Sequence, residues 1–371
     1  MRLIFVGPEP GSPNIAHAGG QLTATTGFAA FAAGQGIAVT WIDTAQSNFP
    51  VPPARVRIAR AASRLLRLVR EVGAPANRGV ILFAGAGASF VERAIMAAVA
   101  RACGKPSVLM IRSGHFHTLY RRSPLFRLTA RLLLRLPHRI GVQGDSWISL
   151  LTEAGAKAEQ IAVVPNWLGA PAHAPDVRTF PADRPLHLLF AGWMTVEKGV
   201  PELIAAARSL VREGTAIRLT LAGGGSLLED ARAAAAEPDL AGRLTVTGWL
   251  GREDLAAEMG RADLFILPSH AEGFPNVVME ALAEGLPIIA TPVGAIPDSV
   301  ADGVNGRLVP VRNAEAIAGA VRSYVADPHA LERHSRAALA TAAARHDRDT
   351  NCRALLEALS IPSGDLRAIA R

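Results

Sequence analysis

The chain has 371 residues, half of them apolar, a formal net charge of +7 and two cysteines, Cys103 and Cys352. That length exceeds one ordinary hydrophobic core, so two domains are expected. Two distant cysteines in helix-like contexts exclude a disulfide framework and point to a reduced, cytoplasmic setting. No apolar run approaches the ~20 residues of a membrane span, and the opening Met1-Arg-Leu-Ile-Phe-Val-Gly-Pro8 is too short for a signal peptide.

Strand-like and helix-like segments alternate along the chain, the pattern of parallel sheets with crossover helices. The first half offers strands at 2–6, 37–42, 79–84, 107–112, 138–143 and 160–164, with helical patterns such as 55–72 and 88–102 between them. A Pro-rich stretch without periodicity, from Pro165 to Pro185, reads as a linker. The alternation restarts at 186–191 and continues near 217–222, 243–247, 263–267, 287–290 and 306–309; beyond about 325 the pattern is helical only. The expected architecture is α/β, two doubly wound parallel-sheet domains facing a central cleft. Residues 1–175 and 176–330 form the domains, and helices in 331–371 pack back toward the first.

Charge is divided unevenly. Residues 1–175 carry 19 Lys+Arg against 7 Asp+Glu, and residues 176–371 carry 20 against 25. Much of the excess lies in Tyr120–Arg139, where Arg127, Arg131 and Arg135 recur every four residues with Leu and Phe opposite, as on an amphipathic helix. Such a helix can lie on an anionic membrane surface through Arg121–Arg139; it can equally be the solvated face of an Arg-rich protein. Nucleic acid is not expected, since no stacking aromatics interleave the arginines.

The most informative segment is Glu272-Gly-Phe-Pro-Asn-Val-Val-Met-Glu280. It follows the strand-like Ala262–Ser269 and opens an apolar helix over 276–285. A helix starting past the C-terminal end of a parallel strand aims its free N–H groups at the ligand crevice of an α/β sheet. Those donors suit a diphosphate, and carboxylates, which only accept, suit hydroxyls. Together they describe a nucleotide-sugar. At the head of the same half, Phe190-Ala-Gly-Trp-Met-Thr-Val-Glu-Lys-Gly199 runs from strand to helix, with Gly192 for close backbone approach and Lys198 as a point charge for phosphate. Gly223 and Gly224, within Leu221-Ala-Gly-Gly-Gly225, either bring backbone amides to a nucleotide or simply make a permissive turn.

In the first half, Gly19 and Gly20 let a loop contact a sugar or phosphate, or satisfy a turn that needs positive φ. Arg112, His115 and His117 follow the fourth strand and form a candidate site. Gly85-Ala-Gly87 fails as a dinucleotide fingerprint, because Phe90 stands where a third small residue belongs. Asp347 and Asp349 have metal-pair spacing but lie in a polar tail, and read as solvated surface.

Taken together, the Gly192…Lys198-Gly199 loop, Leu221–Gly225, Val246-Thr-Gly-Trp-Leu250, the Glu272/Glu280 segment and Thr291–Gly306 resemble the retaining glycosyltransferases of family 4, the group 1 type, with a GT-B fold of two Rossmann-like domains. The resemblance covers roughly 186–310 and is weaker over 1–170, where it rests on Gly19-Gly20 and Val164-Pro-Asn166. It implies that the second domain binds the nucleotide-sugar, UDP- or GDP-linked, and the first a saccharide or lipid-linked acceptor. By resemblance, Glu280 holds the ribose hydroxyls, Glu272 contacts the donor sugar and Lys198 the diphosphate. Gly273, Phe274, Pro275, Asn276 and Val277 lie near sugar and phosphate. No cofactor and no metal is implied. Two departures stand out: Trp193 occupies the family's usual arginine position, and Arg112-Ser-Gly-His115 replaces a His-Gly-Gly-like segment. Arg112 could supply the missing phosphate charge and His115 the missing sugar contact.

The expected activity is retaining transfer of a sugar to a saccharide acceptor, expected to be lipid-linked, in bacterial surface polysaccharide or glycolipid synthesis, on the inner face of the membrane or free in the cytoplasm. The alternatives are a sugar-nucleotide epimerase of the same fold and a non-catalytic sugar-nucleotide-binding protein.

Overall fold

The computed structural model describes residues 1–12, 20–45, 52–169, 175–180 and 183–359. The chain forms two compact units, one of Met1–Pro171 with His346–Arg371 and one of Ala172–Arg345. The sequence-based division kept 331–371 together; the contacts divide that stretch at His346, so the helix Pro328–Arg345 stays with the second unit.

The first unit holds six strands: β1 Arg2–Gly7, β2 Ala38–Asp43, β3 Asn77–Ala84, β4 Ser107–Ile111, β5 Arg139–Val142 and β6 Ile161–Val163. Described pairings are parallel, in the order β2-β1-β3-β4-β5-β6. Strands β3 and β4 are buried along nearly their whole length, which is why they read as continuous apolar runs. One face packs Phe5, Phe28, Phe31, Phe83 and Trp167 with Cys352, Leu355 and Leu356 of the last helix, Arg348–Ala358. Asp347 caps that helix, accepting from the Thr350 N–H at 2.8 Å. The spaced aspartates therefore serve the helix start and a surface pair, Asp349 accepting from Arg348 Nε at 2.8 Å.

The second unit repeats the plan with β7 Leu186–Ala191, β8 Ile217–Ala222, β9 Leu244–Gly248, β10 Leu264–Leu267, β11 Ile288–Ala290 and β12 Gly306–Leu308, in the order β12-β11-β10-β7-β8-β9. The chain leaves β7 toward β8 and β9, then returns to the other side of β7 as β10. Beyond β7 and β10 the chain therefore leads to opposite sides of the sheet, which makes the carboxyl ends of these two strands a topological switch point, the place where α/β sheets bind ligands.

Two expectations need correction. The basic segment is not one helix: Pro124 starts a new helix, Pro124–Leu133, whose first turn is capped by Ser123 Oγ accepting from the Phe126 N–H at 3.2 Å. Proline has no N–H and suits this first helical position better than an interior one, so the helix His115–Arg122 stops before it. Arg135 lies past the helix, and the leucines are not turned inward: Leu125, Leu128 and Leu132 are exposed. The Pro-rich linker is also anchored at its start. Trp167 is fully buried in the first unit and donates from Nε1 to the Ala24 carbonyl at 3.0 Å. Farther on, Arg178 donates to the Gly260 and Glu284 carbonyls at 2.5 and 2.9 Å within the second unit.

Candidate functional site

The switch-point loops of the second unit carry the two side chains singled out from sequence. After β7 the chain makes a short turn, Val196–Lys198, that ends at Gly199 with φ +71°. A Cβ at Gly199 would lie 2.2 Å from the Pro268 carbonyl oxygen, so only glycine lets the β7 loop meet the β10 loop backbone to backbone. The His270 N–H donates to the Glu197 carbonyl at 2.7 Å, a second tie between these loops. The result brings together residues 74 positions apart: Lys198 Nζ donates to Glu272 Oε1 at 2.5 Å.

Glu272 is nearly buried and held from more than one side. Ser269 Oγ donates to the same Oε1 at 2.7 Å, and Thr291 Oγ1 donates to the Ser269 carbonyl. The Ala295 N–H reaches back to the Gly273 carbonyl at 2.8 Å. Ser269 and Thr291 were assigned no role from sequence; Ser269 precedes the recognised segment by three residues, and Thr291 follows β11. His270 Nε2 sits 3.0 Å from Glu202 Oε1, bracing the loop against the helix Val200–Arg212.

Four residues past Glu272 begins the helix Asn276–Ala283, whose N-cap is Pro275 and whose first turn no side chain caps. An uncapped start leaves the positive end of the helix dipole to a ligand or to water. Gly273 and Phe274 are buried before it, while Asn276 and Val277 are half-buried in its first turn. Glu280, one turn on, is half-buried, and its carboxylate has no hydrogen-bond or ion-pair partner among the described residues. Burial pushes its carboxyl pKa up, and the charge of Arg252 offsets only part of that.

The glycines after β8 are explained first by close backbone packing. Gly223 has φ +141°, and a Cβ there would overlap the Gly192 carbonyl. The Gly224 carbonyl accepts from the Met194 N–H at 2.8 Å. Over this turn stand Trp193 and Trp249, edge to face at 4.8 Å between centroids, each more than a third exposed. Among the described residues no three His, Cys, Asp or Glu side chains group as metal ligands.

Arg112 and His115 belong to the first unit. His115 is exposed at the first position of its helix, and His117 is exposed too, its pKa lowered by burial of part of the ring and by the Arg121 charge. Arg112 is buried against the Phe83 ring at 4.6 Å and the Trp167 ring at 5.7 Å, and its Nε and Nη1 have no partner among the described residues. Cation–π attraction of this kind is worth about 2 kcal/mol, against several for burying an ion without a counter-charge. Desolvation accordingly lowers the guanidinium pKa to about 9. Gly20 is exposed at the start of its helix, and Gly19 lies outside the described residues.

Residues 185–327, most of the second unit, match the family model described as Glycosyl transferases group 1. A glycogen synthase of Mycobacterium tuberculosis is 35% identical over 188 residues, covering 50% of this chain and 44% of that one. A putative colanic acid biosynthesis glycosyltransferase, WcaL of Salmonella typhimurium, is 30% identical over 187 residues, covering 48% and 46%. The matched stretch thus spans less than half the length of either relative. Anabaena Alr3699/HepE, solved with UDP and glucose, superposes at a TM-score of 0.70 over 97% of this chain and 99% of that one, with 19% identity, a likeness of fold. Residues 185–327 are thus similar to the glycosyltransferases of group 1, and the fold of the chain is GT-B.

Proposed function

We propose that the chain moves a sugar from a nucleotide-sugar to a saccharide acceptor carried on a lipid, with retention of anomeric configuration and without a metal, in making a bacterial surface polysaccharide or glycolipid. The reading is carried by the Lys198–Glu272 contact, four residues ahead of an uncapped helix start. Departure of the nucleoside diphosphate builds negative charge, and an ammonium with helix N–H groups is suited to receive it. Glu272, fixed by Ser269, accepts from hydroxyls of the donor sugar; Glu280, which lacks a partner, accepts from the ribose. The backbone of 273–277 lines the donor between them, with Gly192, Trp193, Gly223 and Gly224 along the nucleotide. The complex of Alr3699/HepE with UDP and glucose supports UDP-sugars as the first donors to try, and the colanic acid relative supports a polysaccharide product.

The test is a thermal-shift panel of UDP-, GDP- and ADP-sugars on the full chain, followed by turnover with lipid-linked saccharides. One donor is expected to raise the melting temperature by mass action, with transfer only when acceptor is present. Binding without turnover would turn the chain into a carrier, and a donor isomer formed without acceptor would make it an epimerase.

An anionic membrane surface is proposed as the place of action. Residues 54–139 carry 17 Lys+Arg against 2 Asp+Glu. Among them Leu125, Leu128 and Leu132 stand outward on Pro124–Leu133, and Ile58, Leu66 and Val69 on Ala54–Val72. Exposed leucines between arginines suit acyl chains beneath anionic headgroups, where each basic residue contributes about 1 kcal/mol. The full chain is expected to co-sediment with phosphatidylglycerol vesicles at low salt and not with phosphatidylcholine. Leu128→Asp with Leu132→Asp should weaken binding about tenfold or more. Equal binding to neutral vesicles, or none to anionic ones, would sink this part.

A further inference from the structure

We propose that Arg112 is the anchor of an oxyanion subsite in the first unit, taking a carboxylate or phosphate group borne on the saccharide ligand. Only the identity of that carrier rests on the glycosyltransferase reading. The site itself stands on the geometry of one guanidinium and its neighbours.

Arg112 directly follows β4, and its N–H is tied to the Ala84 carbonyl at 2.9 Å, so its position at the carboxyl edge of the sheet is fixed by the β3–β4 ladder. The side chain lies against Phe83 and Trp167, both fully or nearly fully buried, which define its direction. Within this packing Nε and Nη1 are buried with no acceptor among the described residues. No carboxylate pairs with the guanidinium among the described residues. Buried arginines are normally matched by a carboxylate, because an unmatched charge works against the folded state. A methionine or leucine at this position would fill the same apolar slot without that cost.

The surroundings favour an anion from other directions. The helix His115–Arg122 begins three residues on, and Ala88–Ala102 begins after Gly87; neither start is capped by a side chain. Continuing the β4–β5 register from Met110↔Gly141 by two residues sets Gln143 opposite Arg112. The Gln143 amide donates to Asn166 Oδ1 at 2.8 Å, which leaves its buried Oε1 without a donor. Two unfilled guanidinium donors with an unfilled acceptor just past the next strand fit an acidic sugar: the oxyanion on Arg112, a hydroxyl on Gln143. The depressed guanidinium pKa follows from the same lack of a counter-charge, and the group stays protonated at neutral pH.

The experiment uses the full chain in a Lys198→Ala background, so that phosphate held by Lys198 does not contribute. Melting and calorimetric titration are followed with glucuronate, with inorganic phosphate, and with glucose as the uncharged control. Glucuronate or phosphate is expected to raise the melting temperature while glucose does not, and the anion that acts tells a carboxylate carrier from a phosphorylated one. Arg112→Met should abolish the shift, and should melt no lower than its parent without ligand, because it removes a buried unpaired charge. Arg112→Lys, which keeps the charge but not the fork, should bind at least about tenfold more weakly. An anion shift that survives Arg112→Met, or its absence from the protein that retains Arg112, overturns the proposal. Should Arg112→Met fail to fold, undiminished affinity in Arg112→Lys overturns it as well. Donor binding lost or kept on Lys198→Ala bears on the second unit alone.

Discussion

Replacing Lys198 by alanine is expected to lower affinity for a nucleoside diphosphate by about 10- to 150-fold, the range of one hydrogen bond to a charged group, about 1.5–3 kcal/mol. The free protein should feel the change too. Glu272, with its side chain 9% exposed, would keep only the Ser269 hydroxyl. Leaving that carboxylate without its cation should cost about 1–3 kcal/mol of stability. The two effects separate in a double-mutant cycle. Lys198→Ala with Glu272→Ala removes the stranded charge, so stability should recover toward the parent while affinity for the diphosphate does not. Calorimetry with UDP on the four proteins reads both quantities. If Lys198→Ala binds UDP as the parent does, the ammonium has no part in phosphate recognition, and the pair is only a tie between two loops.

Glu280 predicts a pH dependence of opposite sign for binding and for stability. In the free protein burial holds its pKa above the ordinary carboxylate range. Hydroxyls donating to the carboxylate would stabilise the ionised form and bring that pKa down. Donor affinity should therefore be full above the raised pKa and decline as the pH falls through it. Without ligand the folded chain holds this proton more tightly than the unfolded chain does. Its contribution to stability is then present at low pH and lost as the pH rises through the same raised value. Glu280→Gln is expected to flatten both profiles, melt no lower than the parent at neutral pH, and weaken donor binding about tenfold or more by loss of charge-assisted bonds. A donor affinity that keeps its acid limb in Glu280→Gln would show that another group titrates.

The central strands were legible because parallel sheets covered on both faces demand unbroken apolar runs; all twelve segments read as strands are strands here, the half-exposed β2 and β9 included. The Glu272 segment was legible because strand, loop and helix start follow one another in sequence. The contact of Lys198 with Glu272 was not, since it depends on β7 and β10 becoming neighbours after two intervening strands, and on a glycine that lets their loops touch. The basic segment misled because an every-fourth arginine pattern continues through Pro124 without marking it; the break is announced by Ser-Pro, a capping residue followed by a first-turn proline. Trp167 was hidden in a Pro-rich stretch whose lack of periodicity suggested an exposed connection. Arg112 could be named from its place after a strand, but whether a buried guanidinium has a partner depends on every side chain around it.

The return of the last helix to the first unit sets how this chain can be cut. Its Cys352, Leu355 and Leu356 close the apolar face built by residues near the opposite terminus. A fragment ending at the first crossover would present that face bare to water and invite aggregation. Exchange of the first unit by chimaera therefore takes two splice points, near 171 and 346, with the tail always travelling alongside the leading segment.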